Sequence, residues 1–335
     1  MLISVITPCY NAGPFLRQTI DAISEQTYPY VEHIVVDDGS TDNSWDIIQS
    51  YGDKIKGARL DHMGASHARN YGAHLAAGRF LMFLDADDLI SPDTLESLVA
   101  TLEQQAYAVA ACKWYRLMRK GDDWVKVTSG FPFKPPDNDY IRGWLSGWYI
   151  PPCSILWSRD AYERTQGWDE ELTVNDDGDL MMHALLQGVR ILMAKGGEAY
   201  YRYYGTSRLS LSNNIASKRA LESQMRVLEK VTAKLERAGA LASYAVHIGI
   251  AYHNLARNGF EGNVNLAREC VKRAQLLAGP NAISGTWTHR VLCRLIGVEH
   301  KEQFARALAT IKITTQERIK STQLRRLGTV DPEHR

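Results

Sequence analysis

At 335 residues the chain has room for one large domain and a smaller partner, and its 45% apolar and 23% charged residues allow a substantial core. A net charge of +1 excludes a global attraction to nucleic acid, so any charged partner has to be met by a local patch. Five scattered cysteines, no basic leader and no run of about 20 apolar residues argue against a disulfide scaffold, a signal peptide and a membrane helix, and point to the cytoplasm.

Leu2 to Thr7 is a short β-branched run ending at Pro8 and reads as a strand, after which Pro14 opens a helical pattern carrying Phe15, Ile20 and Ile23. His33 to Val36 reads as a second strand, closed by Asp37-Asp38-Gly39, with Ser40 or Thr41 placed to cap a helix carrying Trp45 and Ile48. Ala65 to Ala77 predicts a helix stopped by Gly78, and Arg79 to Leu84 a third strand running into Asp85-Ala86-Asp87-Asp88. Strands alternating with helices at this spacing predict a parallel, doubly wound sheet, whose ligands lie beyond the carboxyl ends of the strands. All three strand ends carry polar residues: Pro8 to Asn11, Asp37 to Thr41 and Asp85 to Asp88.

From Ala108 to Tyr204 aromatic and turn residues dominate, including Trp144, Trp148 and Pro151-Pro152, which predicts strands and loops lining an acceptor groove. Beyond Ala216, Leu221, Met225, Leu228, Val231 and Leu235 recur at helical spacing, as do Leu266, Cys270 and Ala274, predicting a bundle of four or five helices. Lys312, Arg318, Lys320, Arg325 and Arg326 make its end basic, which reads first as a solvated face and second as a surface for an anionic membrane. The final residues lack periodicity and are expected to be disordered.

Four segments carry candidate chemistry, and each has a bland alternative. Asp85 and Asp87, two apart on an extended segment, face the same way and suit Mg²⁺ or Mn²⁺; solvated acids after a strand are the alternative. Asp37 and Asp38 could accept from a nucleobase imide or from ribose hydroxyls, or simply form a turn. Gly64 to Gly72 has neither the dinucleotide glycine pattern nor a phosphate-loop lysine, but Arg69 offers a planar fork for phosphate or base. Asp176 and Asp177 precede an apolar helical stretch, where an acid serves either as a cap or as a base toward an acceptor hydroxyl.

In their order these segments closely resemble the family-2 glycosyltransferases, which are inverting enzymes with the GT-A fold. VITPCYNAGPFLRQTIDAISEQTYPYVEHIVVDDGSTDNSWDII resembles the nucleotide-binding half, and HMGASHARNYGAHLAAGRFLMFLDADD the approach to the DxD metal motif. GWDEEL followed by NDDGDL resembles the acceptor-side segment and the catalytic-base motif, so the likeness runs from about Ile3 to Ser210. It implies a GT-A catalytic domain over residues 1–212, a Rossmann-like mixed sheet flanked by helices, divided into a nucleotide half (1–88) and an acceptor half (89–212). A helical domain (213–322) and a tail (323–335) would follow.

Carried over, the resemblance places Pro8 and Tyr10 beside the nucleoside, Asp37 and Asp38 on uracil and ribose, and Arg69 on the base or diphosphate. Asp85 would approach the ribose, Asp87 would ligate Mn²⁺ or Mg²⁺, and Asp177 would be the base, with Asp176 where the family usually has Glu. Trp144 and Trp148 are the acceptor-side candidates. Tyr204 stands where members often carry a histidine near the metal, which implies weaker metal dependence. The implied partners are a UDP-sugar donor and a glycan or lipid-linked acceptor. Peripheral contact with the inner membrane face and self-association through the helices complete the expectation.

Overall fold

The computed structural model describes residues 1–204, 217–305 and 307. Residues 1–204 together with Arg219–His247 form one compact unit, and a second begins at Ile248. The basic stretch from Lys312, the tail from 323 and the expected boundary at 212 lie outside the described residues.

The first unit is built on nine strands in the order β3-β2-β1-β4-β8-β6-β9-β5, with β7 added on β6. β1 (Ile3–Cys9) is fully buried and pairs in parallel with β2 (Val31–Asp37) and β4 (Phe80–Phe83). Cys9 lies opposite Asp37 and Ile6 opposite Phe83, so the three expected strand ends sit side by side at one edge of the sheet. Beyond β4 the sheet is mixed, because β8 (Ile155–Ser158) runs antiparallel to both β4 and β6 (Ala108–Lys120). β9 (Arg190–Tyr203) is parallel to β6, β5 (Leu89–Ile90) antiparallel to β9, and β7 (Asp123–Thr128) antiparallel to β6. The GT-A expectation therefore holds, with its mixed sheet. One strand escaped the sequence pattern: β3 (Lys56–Arg59) is a polar edge strand with no buried residue, so it lacks the apolar run that marks the others.

Helices α1 (Gly13–Ser24), α2 (Ser44–Ser50) and α3 (Ala65–Leu75) make the crossovers. Ser40 and Thr41 do not cap α2, whose N-cap is Asn43 without a side-chain bond. The loop after β2 instead holds the loop after β1. Ser40 Oγ, Ser44 Oγ and Asp42 Oδ2 accept from the backbone N–H groups of Asn11 (2.9 Å), Ala12 (3.0 Å) and Gly13 (3.0 Å). Asn11 Oδ1 returns the contact by accepting from Thr41 N at 2.8 Å. Two loops whose orphan donors satisfy one another keep a fixed shape at the strand ends.

The acceptor half adds α4 (Thr94–Leu102), α5 (Tyr140–Leu145), α6 (Arg159–Thr165) and α7 (Asp176–Leu186). Helix α8 (Lys218–Arg237) buries Leu221, Met225, Leu228, Val231 and Leu235, the face its spacing predicts, and from Arg219 onward it belongs to the sheet unit. Its Lys230 meets Asp179 of α7 at 2.5 Å and Asp169 at 3.1 Å. The second unit holds the remainder of α9 (Leu241–Gly259), α10 (Val264–Ala278), α11 (Trp287–Ile296) and a helical stretch over 298–305. A Cβ on Gly249 would stand 2.8 Å from Ala278 Cβ, so the missing side chain is what lets α9 and α10 approach so closely. No described helix is long and apolar enough to cross a membrane.

Candidate active site

At the edge where β1, β2 and β4 end, Asp38 is buried and both its oxygens are engaged. They accept from Met63 N and Gly64 N at 2.8 Å each, with His62 Nδ1 3.0 Å from Oδ2. This carboxylate therefore shapes the turn leading into α3. Asp37 is buried as deeply but is less saturated: Oδ2 meets Arg59 Nε at 3.2 Å and Ser40 N at 3.3 Å, while Oδ1 is buried without a partner. Pro8 is buried in the register of β1, and Tyr10 is 47% exposed with its ring stacked on His62, centroids 4.1 Å apart. His62 escaped the sequence reading because it follows the unrecognised strand β3.

Arg69 lies on the buried face of α3 and joins two carboxylates. Its two terminal nitrogens contact Asp85 Oδ1 at 2.7 Å and Asp176 Oδ2 at 2.8 Å, and the guanidinium lies 4.4 Å from the Trp168 ring centroid. Burial alone would weaken its proton affinity, yet the charges of Asp85 and Asp176 raise it above the ordinary arginine range. Its Nε is buried without a partner, so part of the guanidinium stays uncommitted. It bridges the end of β4 to the start of α7. Ser66 Oγ donates to the same Asp176 oxygen at 3.0 Å.

Asp177, beside that bridge in the first turn of α7, shares a small cleft with Ile150, Trp157, Trp168 and Met181. Its Oδ1 accepts from Gly178 N at 2.8 Å. Burial, and then the negative charge of Asp176, raises its pKa to about 6. Trp144 stands at the same helix start, its Nε1 3.1 Å from where a Cβ on Gly178 would be. Trp148 is different. At 6% exposure it belongs to the core and donates from Nε1 to Pro132 O at 2.8 Å, so it has no open face for an acceptor sugar.

On the donor side, Asp87 is lifted to about 6 by burial and by the charge of Asp85, and Asp88 is pushed well above the carboxylate range by burial and by Asp87. Asp88 accepts from Arg202 N at 2.8 Å through Oδ1, and its buried Oδ2 has no partner. Three crowded carboxylates with an unmet oxygen are a hard-donor set whose repulsion a divalent cation would relieve, so the residues fit such an ion. The Tyr204 hydroxyl donates to Asp87 Oδ2 at 2.8 Å. Arg202, which the sequence did not single out, is sandwiched between Phe15 and Trp124, 4.4 and 4.9 Å from the ring centroids. It donates to Asp87 O at 2.6 Å and to Gln18 at 2.9 Å, bracing the acidic turn.

Residues 4–165 match the model of glycosyl transferase family 2. The uncharacterized glycosyltransferase EpsJ of Bacillus subtilis (strain 168) is 28% identical over 211 residues, 60% of this chain and 61% of its own. The uncharacterized glycosyltransferase YibD of Escherichia coli (strain K12) is 37% identical over 149 residues, 43% and 41% of the two chains. The putative teichuronic acid biosynthesis glycosyltransferase TuaG of Bacillus subtilis (strain 168) is 39% identical over 111 residues, 32% and 44%. The chain thus spans less than two thirds of the length of each of these curated relatives. In fold it is like S. aureus TarS 1–349, solved in complex with UDP-GlcNAc, with a TM-score of 0.59 at 22% identity over 84% of this chain and 79% of that one. The family match runs from β1 into α6 over the mixed GT-A sheet, so residues 4–165 form a glycosyl transferase family 2 domain.

Proposed function

We propose that the protein transfers a sugar from a UDP-linked donor to an acceptor hydroxyl, with inversion at the anomeric carbon. The observation that carries this reading is the ionic bridge through Arg69, which joins the donor-side Asp85 to Asp176, with Asp177 next in the chain. The UDP-GlcNAc and UDP complexes of TarS support a uridine nucleotide as the donor's carrier. The name of TuaG supports an acceptor in surface-polysaccharide synthesis.

In this reading the exposed ring of Tyr10 receives the nucleobase, and the unmet Oδ1 of Asp37 accepts its imide N–H. Asp87 would hold Mg²⁺ or Mn²⁺, which when bound supplies positive charge beside the leaving diphosphate. Asp177 takes the proton of the acceptor hydroxyl as that oxygen bonds to the anomeric carbon and the bond to the diphosphate breaks. A carboxylate whose pKa lies near 6 is ionised at neutral pH and still basic enough to assist. Arg69 acts as a positioning residue, holding Asp176 and hence the first turn of α7. Trp144 is the remaining aromatic candidate on the acceptor side. The catalytic domain of residues 1–212, work at the cytoplasmic membrane face and self-association through the C-terminal helices belong to the same reading.

The test is a thermal-shift screen of UDP, other nucleoside diphosphates and UDP-sugars, each with and without Mn²⁺, followed by transfer assays with Asp177→Asn. UDP compounds should raise the melting temperature by several degrees, and the variant should lose about 10²–10⁴ in turnover while still binding donor. No stabilisation by any nucleotide would sink the donor assignment. Near-normal turnover in Asp177→Asn would remove Asp177 as the base.

A further inference from the structure

In the second unit, three side chains of metal-ligating chemistry meet away from the site above. His253 comes from α9, and His289 and Cys293 come from successive turns of α11; all three are buried. His253 Nε2 and His289 Nε2 are 3.3 Å apart, Cys293 Sγ is 3.3 Å from His289 Nε2, and all three atoms lie within 4.8 Å of one another. Two nitrogens bound at about 2.0–2.1 Å to a tetrahedral zinc ion lie about 3.3–3.4 Å apart, which is the spacing found here.

Hydrogen bonding alone serves this arrangement poorly. A neutral imidazole nitrogen carries either one N–H or one lone pair, yet His289 Nε2 faces both His253 Nε2 and Cys293 Sγ at bonding distance. The two contacts must share that one proton or lone pair, which weakens both. A cation at the point where all three converge removes the conflict.

The surroundings fit a built site. His289 and Cys293 are the only buried side chains of α11, while Trp287 and Leu295 on the same helix are 69% and 74% exposed. Among the described residues, then, α11 is anchored through its two candidate ligands rather than through apolar packing. Gly285 has φ +111°, and a Cβ there would stand 3.2 Å from His289 Cδ2, so the missing side chain leaves room for the ring. The neighbouring charges are Glu302 against Arg257 (3.1 Å) and Lys301 (2.9 Å). This carboxylate offsets two cations that would otherwise oppose a metal.

We propose that His253, His289 and Cys293 bind a zinc-class divalent cation, with water in the fourth position, and that this ion ties α11 to α9. Binding releases the Cys293 thiol proton to solvent and leaves the thiolate as ligand. Two nitrogens and one sulfur select a borderline-soft ion of the zinc class over the hard Mg²⁺ suited to Asp87.

The experiment strips the full chain with chelator, reloads it with Zn²⁺ or Co²⁺, and reads metal content and absorption after desalting. Wild type and Asp87→Asn should each retain about one tight zinc per chain, and the cobalt form should show a thiolate charge-transfer band in the near ultraviolet. Cys293→Ser should lose that band and most of the zinc, and Zn²⁺ should raise the melting temperature of wild type but not of Cys293→Ser. Absence of the band in folded, cobalt-loaded wild type would overturn the site without recourse to any variant. Loss of the zinc in Asp87→Asn, with Cys293→Ser unaffected, would assign the metal to the acidic turn instead and also overturn it.

Discussion

Asp177 combines a half-buried position with a nearby like charge, and its pH behaviour follows from that combination. A base raised to about 6 is ionised above that pH and protonated below it, so turnover should fall roughly tenfold per unit as pH drops below about 6. A pH profile of kcat/KM, which reports groups of the free enzyme, measures this, and a flat profile between pH 5 and 7 would count against the assignment. Tyr204 makes a second residue-scale case. Its hydroxyl donates to Asp87 Oδ2 at 2.8 Å, which occupies one oxygen of the proposed metal ligand. A hydrogen bond to a charged group is worth about 1.5–3 kcal/mol, so Tyr204→Phe should tighten divalent binding in the presence of UDP, by about tenfold or more. Calorimetric titration of Mn²⁺ measures it, and unchanged or weaker binding would show that the phenol does not compete.

Helix α3 presses against the sheet through residues without bulk. A Cβ on Gly72 would lie 2.4 Å from Ile6 Cγ2 and 3.3 Å from Val36 Cγ2, both on buried strands. Gly72→Ala gains about 1 kcal/mol in helix propensity but costs about 1–3 kcal/mol by overpacking. The clash is far inside contact distance and is set against stiff β-branched side chains, so the overpacking term wins. Urea denaturation should show a net loss of up to about 2 kcal/mol, whereas a gain would mean that α3 can slide outward. Such a slide would move Arg69, which is why the packing of this helix bears on the site.

Across the sheet unit, α8 is tied to the acceptor half by charge as well as by its apolar face. Lys230 serves Asp169 and Asp179, and the Asp179 side chain is only 5% exposed. A surface pair would be worth about 0–1 kcal/mol, but removing the cation from a buried carboxylate costs about 1–3 kcal/mol. Lys230→Met should therefore lower stability by about 1–3 kcal/mol in chemical denaturation, and a change below about 0.5 kcal/mol would show that α8 is held by its apolar face alone. Asp169 keeps Arg226 at 3.0 Å, so the loss falls on Asp179 and the helix that begins with Asp176 and Asp177.

What was legible in the sequence is what depends on near neighbours. Apolar runs marked β1, β2 and β4, their acidic ends marked the edge of the sheet where the site forms, and a 3.6-residue rhythm marked the buried face of α8. These signals rest on local period and on the need to end a buried strand in polar residues. The partner of each carboxylate was not legible. Asp38 is spent on backbone N–H groups 25 and 26 residues away, and Arg69 reaches across 107 residues to Asp176. Trp148 is buried by packing that no spacing announces, and β3 is a strand because β2 offers it an edge. His253 meets His289 36 residues on only when two helices lie together. Composition and spacing determine which groups can bond; which of them do is decided by the packing that desolvates them and brings their partners within reach.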